Sequence, residues 1–178
     1  MALKSTIYKA TVNLSNMDEH IYEEISVTIA LHPSETEERM MVRLLAYVMN
    51  DQEGLSFGRG LSNEEEPALC VKSLTGEMVL WIDVGLPDKE RIRKASHKAE
   101  QVCLYVYGGN NATTWWEQNQ KAIKGYRNVS VIKIPESTSL AMATLARRTM
   151  NLSCSIQDGS IWLSDDEQTL EVSLEQLK

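Results

Sequence analysis

The sequence predicts a mixed α/β (α+β) domain: a central mixed sheet flanked by helices, with extra β-hairpins at the N- and C-terminal ends. Two patterns predict it. Strand-like and helix-like segments alternate through the middle of the chain, which favours a parallel or mixed sheet with helices on its faces. Strand pairs joined by turn residues occupy both ends, which favours antiparallel additions. The composition agrees. Hydrophobic residues make up 43% and charged residues 24% of the 178, with 9 Gly and 4 Pro, as in globular rather than disordered or fibrous chains. That length suits one domain spanning residues 1–178.

The elements follow in order. Leu3 to Leu14 and Tyr22 to Leu31 are strand-like, the first β-branched and partly alternating, with turn residues Ser15 to His20 between them. Ser34 is the expected N-cap of a helix, and Glu37 completes a capping box. Glu35, Glu37 and Glu38 suit the positive end of its dipole. Met41, Leu44, Leu45 and Val48 give it an apolar stripe, and Asn50 to Gly54 end it. Three short strands follow at Leu55 to Leu61, Ala68 to Ser73 and Met78 to Val84, the last two joined by a turn at Leu74-Thr-Gly-Glu77. Pro87 fits position N1 of a second helix, with Ile92, Ala95, Ala99 and Val102 on its buried face to about Gln101. A strand over Val102 to Tyr107, a helix from Ala112 to Lys124 capped by Gly125, and a strand from Asn128 to Ile134 come next. A helix from Ser139 to Arg148 precedes a meander at Asn151 to Ile156, Ile161 to Leu163 and Leu170 to Leu174, with Asp158-Gly159 as a tight turn.

Composition and motifs exclude several function classes. The net charge of −7 repels nucleic acid and anionic membrane on average, so such binding needs a local basic patch. The sequence holds no run of apolar residues long enough to span a membrane and no signal-peptide pattern. Cys70, Cys103 and Cys154 are too scattered for a zinc site and read as reduced packing residues of a cytoplasmic protein. His20, His32 and His97 form no zinc or nucleophile motif, and Gly58-Arg-Gly60 is too short for a nucleotide loop. No nucleotide cofactor is expected.

Two constellations remain. Glu38, Glu66 and Asp83 could hold Mg or Mn, which generates hydroxide and balances charge during phosphodiester hydrolysis, with Lys94 on the phosphoryl oxygens. A metal site requires those carboxylates to converge within about 4–6 Å, with Lys94 facing them; pairing of Asp83 with Arg91 would argue against it. The second constellation is the basic run Lys89, Arg91, Arg93, Lys94 and Lys98, a candidate phosphate-backbone contact. A solvated helix face paired with Asp88 and Glu90 accounts for the same residues. Trp115 and Trp116 point about 100° apart on a helix, so at most one is central to the core and the other could face a cleft or a protein partner, although ordinary core or boundary packing accounts for both.

Long runs of the chain resemble the YaeQ family of bacterial proteins: Met1 to Val12, His32 to Met41, Leu80 to Asp88, Trp115 to Gln120 and Ile156 to Asp165. The resemblance implies a variant of the PD-(D/E)xK restriction-endonuclease-like fold, whose core runs helix, three strands, helix, strand. The element order above matches it. The superfamily pattern assigns Glu66 as the first acid, Asp83 as the second, and Glu37 or Glu38 as the helical acid. Gly85 stands where that pattern has lysine, and the resemblance nominates Lys94 from the following helix instead. Gln101 and Tyr105 match a Gln-x-x-x-Tyr element of some nuclease branches. The function so implied is a Mg-dependent nuclease or a protein derived from one. The alternative is a non-catalytic nucleic-acid- or protein-binding regulatory domain that retains the fold.

Overall fold

The structure, a computed structural model, describes residues 4–59 and 65–178. Its contacts divide into two compact units, residues 1–48 with 137–173 and residues 49–136 with 174–178. The elements in chain order are β1 (Thr6–Asn16), β2 (Ile21–Leu31), α1 (Glu37–Met49), β3 (Leu55–Phe57), β4 (Leu69–Lys72), β5 (Met78–Val84), α2 (Lys89–Lys98), β6 (Ala99–Val106), α3 (Asn110–Lys124), β7 (Val129–Lys133), α4 (Glu136–Ala143), β8 (Thr149–Gln157), β9 (Ser160–Ser164), β10 (Thr169–Val172) and β11 (Glu175–Gln176).

The first unit holds a five-stranded mixed sheet in the order β10-β9-β8-β1-β2. The β1–β2 hairpin is antiparallel, with Thr6 opposite Leu31 and Asn16 opposite Ile21. The expected terminal hairpins are present, and they do more than extend a central sheet. They join each other through the parallel pair β1–β8, with Lys9 beside Thr149. One face is apolar because alternate residues turn inward, among them Tyr8, Val12 and Leu14 of β1 and Met150, Leu152 and Cys154 of β8. At the β8–β9 turn Asp158 and Gly159 both have positive φ, 52° and 78°, the backbone that a two-residue hairpin loop requires.

Helix α1 departs from a simple amphipathic pattern, since every residue from Met40 to Ala46 is buried. The buried Arg43 is neutralised by Glu35, with Nε 2.8 Å and Nη2 2.6 Å from its oxygens. Arg39 binds the same carboxylate. Glu35 was expected to serve the helix dipole; it serves this buried ion pair instead. The expected N-cap Ser34 is also displaced, because its Oγ lies 2.7 Å from His32 Nδ1. Thr36 caps the helix, its Oγ1 accepting from Arg39 N at 3.1 Å.

The second unit holds a six-stranded sheet in the order β11-β7-β6-β5-β4-β3. β3, β4 and β5 are antiparallel neighbours, whereas β5, β6 and β7 run parallel. Trp81, Val102, Leu104 and Val131 of the parallel strands pack with Ile92 and Ala95 of α2 and with Trp115 and Ile123 of α3. Asp88, rather than a residue before Pro87, caps α2, accepting from Arg91 N at 2.8 Å. The helix stops at Lys98, three residues before the expected end. Asn128 Nδ2 takes the carbonyls of Ser96 and Ala99 at 2.8 and 2.9 Å, and Ala99 already pairs with Met78 of β5. The expected strand Leu55 to Leu61 is seen only to Phe57, and residues 60–64 lie outside the described residues. The expected helix Ser139 to Arg148 lies earlier, at Glu136–Ala143.

Candidate functional site

The junction of β5 and α2 carries the most chemistry. The β-strand delivers Asp83 near its end, 4% exposed. Gly85 follows at φ +110°, its N–H donating to the Tyr105 carbonyl at 2.9 Å. That backbone conformation favours glycine, so a side chain two residues after Asp83 would be strained. The chain turns at Gly85 and Asp88 caps the helix, so Arg91 comes back over the strand. Its guanidinium lies 5.5 Å from the centre of the Trp81 ring.

Arg91 then clasps Asp83. Nε donates to Oδ2 at 2.7 Å and Nη2 to Oδ1 at 3.0 Å. The same Nη2 donates to the Glu66 carbonyl at 2.7 Å, and Ala68 N–H donates to Asp83 Oδ1 at 3.3 Å. The clasp therefore ties β5, α2 and the segment entering β4 together. A bidentate, charge-assisted pair is the strongest geometry available to these groups.

Glu66 contributes its carbonyl to the clasp; its side chain turns to Arg59, accepting from the backbone N at 3.2 Å with Nε at 3.7 Å. Glu38 lies on α1 in the first unit, where Ser139 Oγ donates to it at 2.7 Å. Glu37 is exposed at the first residue of α1. No group of three His, Cys, Asp or Glu side chains among the described residues could hold a metal ion. The donor set does not suit Mg or Mn, which need carboxylate oxygens free to coordinate, because both oxygens of Asp83 are spent on N–H donors.

The basic run divides between faces of α2. Arg91, Lys94 and Lys98 line one cavity of about 220 Å³ with Trp81. Arg93 instead binds Glu90 at 2.6 and 3.0 Å, which holds the exposed Glu90 carboxyl below its ordinary range. Lys89 is exposed at the start of the helix, and His97 is exposed near its end.

Tyr105 is buried beside this junction, its hydroxyl accepting from Asn50 Nδ2 at 2.8 Å. Burial pushes its phenol up, and burial does the same to the Cys103 thiol. Gln101 is exposed on β6. Trp115 is the core member of the tryptophan pair, and its indole donates to the Pro87 carbonyl at 2.6 Å. Trp116 is half-buried, with Lys124 Nζ 6.0 Å from its ring centre.

Sequence reasoning missed two features here. The sequence groups Arg91 with the phosphate contacts, yet it is the partner of Asp83; an eight-residue separation across strand, turn and helix leaves no periodic signal. The sequence places Trp81 only within a strand, yet its buried Nε1–H has no acceptor among the described residues.

The fold and site together define a class: a mixed α+β protein of two mixed sheets, with an aspartate–arginine clasp at a strand-to-helix junction. The family described as YaeQ protein matches residues 1–174. The chain belongs to the YaeQ family. It is 46% identical over 174 residues to "Uncharacterized protein YaeQ" of Escherichia coli (strain K12), covering 98% of this chain and 96% of that one. The Salmonella typhi relative of the same description is 44% identical over the same shares. The crystal structure of YaeQ protein from Xanthomonas axonopodis pv. citri superposes with a TM-score of 0.94 at 38% identity, covering 98% of each chain. That from Pseudomonas syringae gives 0.92 at 41% identity, covering 98% of this chain and 96% of the other.

Proposed function

We propose that this protein is a non-catalytic nucleic-acid-binding domain that keeps a restriction-endonuclease-like order of elements and has given up metal chemistry. The observation that carries the reading is the Arg91–Asp83 clasp. A metal-dependent nuclease needs its strand-end carboxylate free to hold an ion; here Arg91 and Ala68 N–H occupy both oxygens of Asp83. Gly85 at positive φ and the turning of the Glu66 side chain toward Arg59 support it further. The order α1, β3, β4, β5, α2, β6 supports the inherited core. Lys89, Lys94 and Lys98 on α2 supply a local contact for backbone phosphates in a chain of net charge −7. Three free, buried cysteines support a cytoplasmic location.

The test is fluorescence anisotropy with labelled DNA and RNA at two salt concentrations, beside a cleavage assay with Mg and Mn. Binding is expected to weaken with salt and with Lys89→Glu and Lys94→Glu, each lowering the salt slope by about one. Asp83→Asn is expected to keep binding while losing stability. Cleavage that requires Mg or Mn and disappears in Asp83→Asn would establish a nuclease and refute the proposal.

A further inference from the structure

The cavity beside α2 combines unspent charge with an unspent donor. Arg91, Lys94 and Lys98 lie at helical spacings of three and four, which places them along one face. Arg91 is held by Asp83 and forms a wall. Lys94 enters no ion pair or hydrogen bond among the described residues. Lys98 reaches Glu65 at 3.4 Å, but these side chains are 49% and 77% exposed, so a ligand can displace that weak contact. The other two acids of the wall are engaged: Asp88 caps α2 and Glu90 binds Arg93.

Trp81 supplies the second observation. It lines the same cavity, is 2% exposed, and its buried Nε1–H has no acceptor among the described residues. Native folds leave few such donors unmet, because each forfeits its bond to water. Trp81, a residue of the wall, therefore carries a donor for which no described residue supplies an acceptor, and Lys94 and Lys98 place two ammonium groups on flexible stems along the same cavity.

We propose that this cavity binds a phosphomonoester dianion. Its several acceptor oxygens suit donors converging from different elements, and its double charge suits two lysines. Trp81 Nε1–H would give the neutral hydrogen bond, and Lys94 and Lys98 the charges. The proposal rests on the nucleic-acid reading and deepens it: the dianion is a strand's terminal phosphate, since a cavity of about 220 Å³ admits an end group more readily than a chain passing through.

The indole N–H resonances of the four tryptophans give a direct readout, with Trp81 assigned by loss of its signal in Trp81→Phe. Inorganic phosphate is titrated first, then an oligonucleotide with a 5′-phosphate and the same strand with a 5′-hydroxyl, using chloride at matched ionic strength as control. The Trp81 resonance should move with phosphate and with the 5′-phosphorylated strand, and hardly with chloride. Lys94→Ala should weaken phosphate binding about tenfold, whereas Lys121→Ala on α3 should not change it. An unmoved Trp81 resonance, or equal affinity for both strands and for Lys94→Ala, overturns the cavity while leaving nucleic-acid binding standing. Movement with free phosphate and no binding of either strand keeps the dianion site and removes the nucleic-acid reading.

Discussion

Removing Arg91 should destabilise the protein far more than removing an ordinary surface arginine. Arg91→Ala deletes both hydrogen bonds to Asp83, the bond to the Glu66 carbonyl and the contact with the Trp81 ring. It leaves a carboxylate whose side chain is 6% exposed, with the 3.3 Å Ala68 N–H as its remaining donor. Breaking a buried ion pair from one side costs about 3–5 kcal/mol, because the surviving charge stays desolvated. The Arg91 side chain is 25% exposed, so water relaxes part of that penalty. The expected loss is about 3 kcal/mol, near the lower end. At roughly 2–4 °C per kcal/mol for a chain of this size, Tm falls by about 6–12 °C. Asp83→Asn should cost less, about 1–2 kcal/mol, since the freed guanidinium can turn toward solvent. Thermal melts followed by circular dichroism on the wild type, both single variants and the double variant measure the coupling, which should exceed about 1 kcal/mol. Melting of Arg91→Ala within about 1 °C of wild type, with no coupling, would refute the clasp and return Asp83 to the candidate metal ligands.

Three further outcomes are expected. Gly85→Lys, which supplies the lysine that the nuclease resemblance expects there, should destabilise by about 1–3 kcal/mol because φ is +110°, and it should produce no Mg-dependent cleavage; urea unfolding and a nuclease assay measure both. Thr36→Ala should cost about 1 kcal/mol by uncapping α1, whereas Ser34→Ala should cost well under that, and urea midpoints separate the two. Burial raises the Cys154 thiol from 9.0 to about 11. The unfolded thiol loses its proton first, so the contribution is intact below about pH 9 and lost as pH rises toward about 11, amounting to about 2–3 kcal/mol. Melts from pH 8 to 11 should therefore show a shallower alkaline decline in Cys154→Ala than in wild type; equal slopes would count against that assignment.

Asp83 at a strand end, the turn at Gly85 and the cationic helix were all visible in the sequence, because strand alternation, glycine and charge are local signals. The identity of Asp83's partner was not. Arg91 competes with Lys89, Arg93 and Lys94 for any acid nearby, and only the way α2 folds back over β5 chooses among them. The cap of α1 shows the same limit, since Ser34 and Thr36 are both good cap residues and His32 draws Ser34 away. The end of α2 was misplaced because Ala99 and Val102 continue the helical spacing, whereas pairing with β5 makes them strand residues.

By itself, the sequence determined the order of strands and helices from β1 to β10, the apolar faces of most of them and membership of the YaeQ family, whereas the two-residue β11 carries no sequence signal. Those properties depend on short-range periodicity and on long literal runs of residues. Tertiary structure alone decided that the two terminal hairpins share a sheet through β1 and β8, that Glu35 neutralises Arg43, and that Asp83 is held by Arg91. Each of these is a choice among chemically equivalent partners. Burial makes that choice, because a desolvated charge or an open strand edge must take the partner that the fold brings within reach.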